Sequence, residues 1–144
     1  MTETILPLLE STQKASAEIR RLTPETKTKL LERLAQVIEG SVELIREENQ
    51  KDLNRMDNTD PKYDRLLLTE NRILDLAQSL RDVAILPDPS GAILLEKTLE
   101  NGLQLQKLAV PMGVVGVIYE SRPNVTIDVA SLCLRSGNAC VLKG

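Results

Sequence analysis

The chain has 144 residues, one domain's worth, and its 42% hydrophobic and 27% charged residues are the balance of a folded globular protein, not a disordered one. A formal charge of -3 leaves no electrostatic case for nucleic acid or an anionic membrane surface. The absence of His removes the commonest general base and metal ligand, and two Tyr without Phe or Trp exclude a base-stacking surface.

Cys133 and Cys140 match no zinc spacing, and two unpaired thiols suit a reducing compartment. The first four residues carry an acid and no basic run, so a secretory leader is not expected. No apolar run approaches the ~20 residues that span a bilayer. The expectation is a cytoplasmic protein with no nucleic-acid, membrane or metal partner.

Only Gly40 interrupts residues 1–90, and the other six glycines lie at Gly91 and beyond. A helical layer is therefore expected over residues 1–90, a hairpin over 91–110 and a βαβ unit over 111–144. Residues 5–22 predict a first helix with Leu8, Leu9, Ala15, Ile19 and Leu22 as apolar positions. Thr23-Pro24-Glu25 restarts a helix, with Thr23 as cap, Pro24 at the first turn and Glu25 against the dipole. Leu30, Leu34, Ile38, Val42 and Ile45 extend one apolar face through Gly40, which need not break it. Residues 57–61 read as a polar loop. Thr69 caps a third helix with Ile73, Leu74, Ala77, Leu80 and Val83 as its buried stripe, ended by Pro87 and Pro89.

Then the period changes. Residues 93–99 and 103–110 flank Asn101-Gly102, a hairpin signal, and such an exposed hairpin can pair with another chain. Residues 113–119 form a continuous apolar run, as in a buried parallel strand. Pro123 opens a helix with Val125, Val129, Leu132 and Cys133 on its apolar face, Gly137-Asn138 closes it, and residues 139–142 form a second strand. Strand, helix and strand over roughly 30 residues make a βαβ unit. The fold class is α/β.

A βαβ unit presents its functional groups at the carboxyl end of its strand. Here that turn is Tyr119-Glu120-Ser121-Arg122-Pro123-Asn124, unusually polar for a junction between apolar elements. The following helix offers unpaired N–H groups and a positive dipole end, Arg122 a forked cation for phosphate or carboxylate, and Asn124 a neutral amide donor suited to an oxyanion. Plainer readings stand beside these. Ser121 reads equally as a helix cap, Glu120 and Arg122 as a solvated pair, and Asn124 as a local backbone partner. Gly113-Val114-Val115-Gly116 is not the dinucleotide fingerprint and reads as packing. Cys133 and Cys140 read as core residues without a His to activate them, and Lys143 as a strand-end lysine in reach of a ligand over the strand ends.

The stretch from Val110-Pro111-Met112-Gly113 through Tyr119-Glu120-Ser121-Arg122-Pro123-Asn124-Val125-Thr126, continued by Leu132-Cys133-Leu134-Arg135-Ser136-Gly137-Asn138-Ala139, resembles the signature region of the gamma-glutamyl phosphate reductase family. This family lies within the aldehyde dehydrogenase superfamily, whose general members carry Pro-Trp-Asn at this turn; this chain has no Trp. The helical start and the hairpin fit the same family. The resemblance implies a Rossmann-type NADP-binding domain, of which residues 1–144 are the N-terminal part. It implies NADPH-dependent reduction of L-glutamyl 5-phosphate to glutamate 5-semialdehyde and phosphate in proline biosynthesis, through a cysteine thiolate that attacks the acyl phosphate. It assigns Asn124 to the oxyanion and Lys143 to the adenosine ribose; Arg122 is expected at a substrate anion and Ser121 at the cofactor, and a homo-oligomer is expected at full length. Family members are much longer, and the nucleophilic cysteine and the catalytic domain have no counterpart here. The competing reading is a truncated, non-catalytic helical or oligomerisation module. Another superfamily substrate is a third reading, which the residues after Tyr119 disfavour.

Overall fold

The computed structural model describes residues 5–120 and 122–144. Its first helix, α1 (Leu6–Ile19), is shorter than the apolar pattern suggested and buries only Ser16. Leu8 and Leu9 stay exposed, although α1 packs against β3 and β4 described below.

Helix α2 (Pro24–Gly40) begins as its sequence dictates: Thr23 Oγ1 accepts the Thr26 N–H at 3.2 Å and Pro24 fills the first position. Its inward face is Lys27, Leu31, Ala35 and Ile38. The apolar pattern read across Gly40 as one helix does not hold. Ser41 leaves the helical basin at φ -115° and ψ 14°, and α3 (Val42–Leu53) starts as a separate helix. Glycine at a helix end lowers the cost of that departure.

Residues 54–62 form turns, in which the Asp57 carboxylate accepts from the N–H and hydroxyl of Thr59. A short helix, α4 (Tyr63–Leu66), follows, which the sequence pattern did not signal. The third helix expected from Thr69 is α5 (Glu70–Ile85), and the Thr69 hydroxyl caps it by accepting the Arg72 N–H at 3.2 Å. Its buried stripe is Ile73, Leu76, Ala77, Leu80, Val83 and Ala84. Leu74, expected there, is exposed, because 100° of rotation per residue carries it off the Ile73 face while Leu76 and Leu80 stay on it. Helices α2 and α5 pack together to form the core, which partly buried Ile127 and Leu134 close from the far side.

The hairpin pairs β1 (Ile93–Thr98) antiparallel to β2 (Gln104–Leu108), with an irregularity between Ile93 and Leu95. Its loop is three residues, not two. Leu99 and Leu103 close it, Gly102 donates to the Leu99 carbonyl, and Gly102 takes φ 84°. Every residue of both strands is exposed.

The last unit is β3 (Val114–Ile118), α6 (Pro123–Arg135) and β4 (Ala139–Lys143), with β3 and β4 parallel and paired from Val114↔Ala139 to Ile118↔Lys143. The apolar run was read as a buried strand, yet β3 is half-buried to exposed and Ile118 is 87% exposed. Two strands covered by α1 and α6 leave much of the sheet uncovered. Gly137, at φ 77°, ends α6, and the N–H groups of Gly137 and Asn138 return to the carbonyls of Leu134 and Cys133.

A buried polar knot sets where this unit sits on the helices. Arg135 donates from Nε and Nη2 to the Leu86 carbonyl and from Nη1 to Pro24 O and Thr28 Oγ1. Lys27 bonds Asp88 at 2.7 Å, Ser90 at 3.2 Å and the Arg135 carbonyl at 3.5 Å. Asn138 accepts the Gly113 N–H at 2.9 Å and holds the start of β3 against that of β4.

Candidate functional site

Strands β3 and β4 finish together. Ile118 pairs with Lys143, and the Tyr119 N–H donates to the Lys143 carbonyl at 3.0 Å. The Tyr119 and Thr126 hydroxyls share a 2.5 Å hydrogen bond, which ties the turn after β3 to the second turn of α6. The polar turn thus opens at the carboxyl edge of a parallel pair, the place where α/β sheets bind ligands.

Arg122, not Ser121, occupies the capping position of α6, in extended conformation and with no side-chain capping bond. Ser121 itself, read as a cofactor contact or a cap, lies outside the described residues. Asn124 is exposed in the first turn of α6 and lines a cleft of about 490 Å³ between that turn and the α4–α5 layer. Arg122 lines the same cleft.

The charges of the cleft are not equivalent. Arg72 is committed to Asp64, through its carbonyl and a 2.9 Å contact to its carboxylate, and to the Leu67 carbonyl at 2.9 Å. Arg65 pairs with Glu120 at 3.5 Å across solvent. Glu120 therefore does not form the solvated pair with Arg122 that sequence adjacency suggested. Among the described residues no side-chain hydrogen bond or ion pair engages Arg122, and none engages the Asn124 amide. One cation with a forked donor pattern and one neutral amide donor are thus open on the same wall.

Sequence reading missed the wall that α5 supplies. Asp75, Leu76 and Ser79 line the cleft, and Ser79 Oγ donates to Asp128 Oδ1 at 3.2 Å. Asp128 stands four residues after Asn124 on α6, a spacing that puts both on one helix face and that the sequence already carried.

Lys143 stands outside this cleft, at the exposed end of β4, where its ammonium bonds the Gly144 carbonyl at 3.2 Å. The structure therefore brings Arg122 and Asn124 together and leaves Lys143 on the neighbouring strand end. Lys143 is thus a solvent-facing cation at the end of β4.

Neither cysteine faces the cleft. Cys133 is buried, and burial, with Cys140 as a lesser neighbour, pushes its thiol up to about 11. Cys140 is half-buried beneath α1. Among the described residues no group of His, Cys, Asp and Glu could hold a metal ion, and no helix is long and apolar enough to cross a membrane.

No protein-family model matches the chain. It is 56% identical over 144 residues to a curated gamma-glutamyl phosphate reductase of Chlorobium phaeobacteroides and 52% identical over 144 residues to one of Legionella pneumophila. Each match covers all of this chain and 34% of the relative, so the chain spans about a third of the length of the curated relatives it matches. The crystal structure of the gamma-glutamyl phosphate reductase of Thermotoga maritima superposes with a TM-score of 0.91 at 30% identity, over 97% of this chain and 34% of that one. That of Saccharomyces cerevisiae gives 0.90 at 29% identity, over 100% and 38%.

Proposed function

From a chain that belongs to the gamma-glutamyl phosphate reductases, at about a third of their length, we propose that it supplies the N-terminal part of an NADPH-dependent reductase of L-glutamyl 5-phosphate. The products are glutamate 5-semialdehyde and phosphate, a step of proline biosynthesis. The observation that carries the reading is the pairing of Asn124 and Arg122 in one cleft at the carboxyl edge of β3 and β4.

NADPH, when bound, supplies the hydride. The residues of this chain bind and polarise. The Asn124 amide donates to the carbonyl oxygen as it gains negative charge, an interaction stronger in the transition state than in the bound substrate. Arg122, at the positive start of α6, holds the phosphate anion. Lys143 holds the ribose of the cofactor. Cys133, its thiol pushed up to about 11 by burial, and Cys140, half-buried beneath α1, both lie away from the cleft, so in this reading the attacking thiolate comes from outside these 144 residues. The exposed Leu95, Leu103 and Leu105 of the hairpin support pairing with another copy in a homo-oligomer, and the two free thiols support a cytoplasmic setting.

The test uses the full-length protein carrying this chain. NADPH oxidation should depend on glutamyl phosphate, and Asn124→Ala should lower kcat by about 10²-fold or more. Unchanged turnover in Asn124→Ala would reject the oxyanion role. Absence of glutamyl phosphate-dependent oxidation in the unmutated protein would reject the reaction and favour a non-catalytic module.

A further inference from the structure

We infer that Asp128 binds the α-ammonium group of the substrate and so makes this cleft select an amino acid over the same acyl compound without its amine. The inference deepens the proposed reaction and rests on it. Asp128 is half-buried on α6, and one of its carboxylate oxygens accepts from Ser79 Oγ at 3.2 Å. Among the described residues no lysine or arginine pairs with it, so a carboxylate with unused acceptor sites sits in a partly desolvated cleft. Such a group favours a cation.

The spacing supplies the second argument. Four residues along a helix rise about 6 Å, so Asp128 lies that far from Asn124 along the axis of α6. In an extended glutamyl chain four bonds separate the reacting carbonyl carbon from the amine nitrogen, about 5 Å by standard bond lengths. A carbonyl at Asn124 therefore puts the ammonium within hydrogen-bonding reach of Asp128. The order along the chain agrees as well: Arg122 comes first, then Asn124, then Asp128. This is the order of phosphate, carbonyl and ammonium along the substrate. An acyl phosphate without the amine keeps the first two contacts and leaves Asp128 unpaired.

The experiment compares two aldehydes in the oxidative direction with the full-length protein, phosphate and NADP. One is glutamate 5-semialdehyde; the other is 5-oxopentanoate, which differs by the missing amine. The unmutated protein should prefer the amino compound in kcat/KM. Asp128→Asn retains an acceptor for Ser79 and removes the charge. It should lower kcat/KM for glutamate 5-semialdehyde by about 10- to 100-fold, the worth of a hydrogen bond to a charged group. It should leave 5-oxopentanoate within about twofold, because no charged partner is lost there. Equal loss on both compounds, or no loss on either, would overturn the inference. So would an unmutated protein that handles both compounds alike, a result that needs no variant to fold. Failure of the unmutated protein to reduce NADP with either compound would instead overturn the reaction itself, and the role of Asp128 with it.

Discussion

Lys27 Nζ lies 2.7 Å from Asp88 Oδ2, and the two side chains keep only 1% and 6% of their surface exposed. The same ammonium reaches Ser90 and the carbonyl of Arg135, so one residue of α2 holds both the segment after α5 and the end of α6. Because only three residues separate the end of α6 from the start of β4, this contact also fixes the strand whose far end carries Lys143. Lys27→Met should cost about 3–5 kcal/mol by leaving a buried carboxylate unpaired, whereas Lys27→Met with Asp88→Asn should recover part of it. Denaturant titration of the single and double variants reads the difference. An equal loss in both would show that the pair does not act as a unit.

The same carboxyl makes stability depend on pH. Burial pushes Asp88 up, but the hydrogen bonds from Lys27 and Ser90 and the Lys27 charge outweigh it, and the net value lies below the ordinary carboxylate range. A depressed folded value means that Asp88 contributes its stability above the unfolded value of about 3.9 and loses it as pH falls through the folded one. Unfolding free energy of the wild type should therefore fall more steeply below about pH 4 than that of Asp88→Asn. Parallel acid limbs would remove Asp88 from the account.

Gly137→Ala should destabilise by about 1–3 kcal/mol. Its φ of 77° strains any side chain, and a Cβ there would sit 2.8 Å from Pro111 Cγ and 3.0 Å from Ser90 Oγ. Gly40→Ala, with nothing within 4 Å of its Cβ, should be neutral or gain up to about 1 kcal/mol. Thermal melts of the two variants test the contrast, and similar midpoints would contradict it.

Lys143→Ala in the full-length protein should raise the KM for NADPH well above its effect on glutamyl phosphate, since Lys143 stands apart from the Arg122 and Asn124 cleft. A matched rise for both substrates would mark Lys143 as a support for the strand end.

Cys133 should resist iodoacetamide at pH 8 in the folded protein, because a thiol pushed to about 11 by burial is protonated there. Cys133→Ala should keep turnover. Loss of turnover without loss of stability would make Cys133 part of the chemistry.

The sequence by itself determined the local pieces. Thr23-Pro24 and Thr69 start helices because a hydroxyl placed before the first turn satisfies an orphan N–H, whatever surrounds it. Asn101-Gly102 turns the chain and Gly137 ends α6 because only glycine takes those φ values without strain. The Glu120 to Thr126 string carried the resemblance to the gamma-glutamyl phosphate reductases and the candidate residues Arg122 and Asn124. Tertiary structure alone decided the rest. Local pattern did not show that the apolar face through Gly40 breaks at Ser41 or that β3 is left half open, because each depends on what packs opposite. Leu76 in place of Leu74 on the inner face, by contrast, follows from helical rotation away from Ile73. Nor did it show that Ser79 and Asp75 from α5 form the wall facing Asn124. Residues some fifty positions apart meet there only because Lys27 and Arg135, charged side chains that composition assigns to the surface, are buried and hydrogen-bonded where α2, α5 and α6 converge.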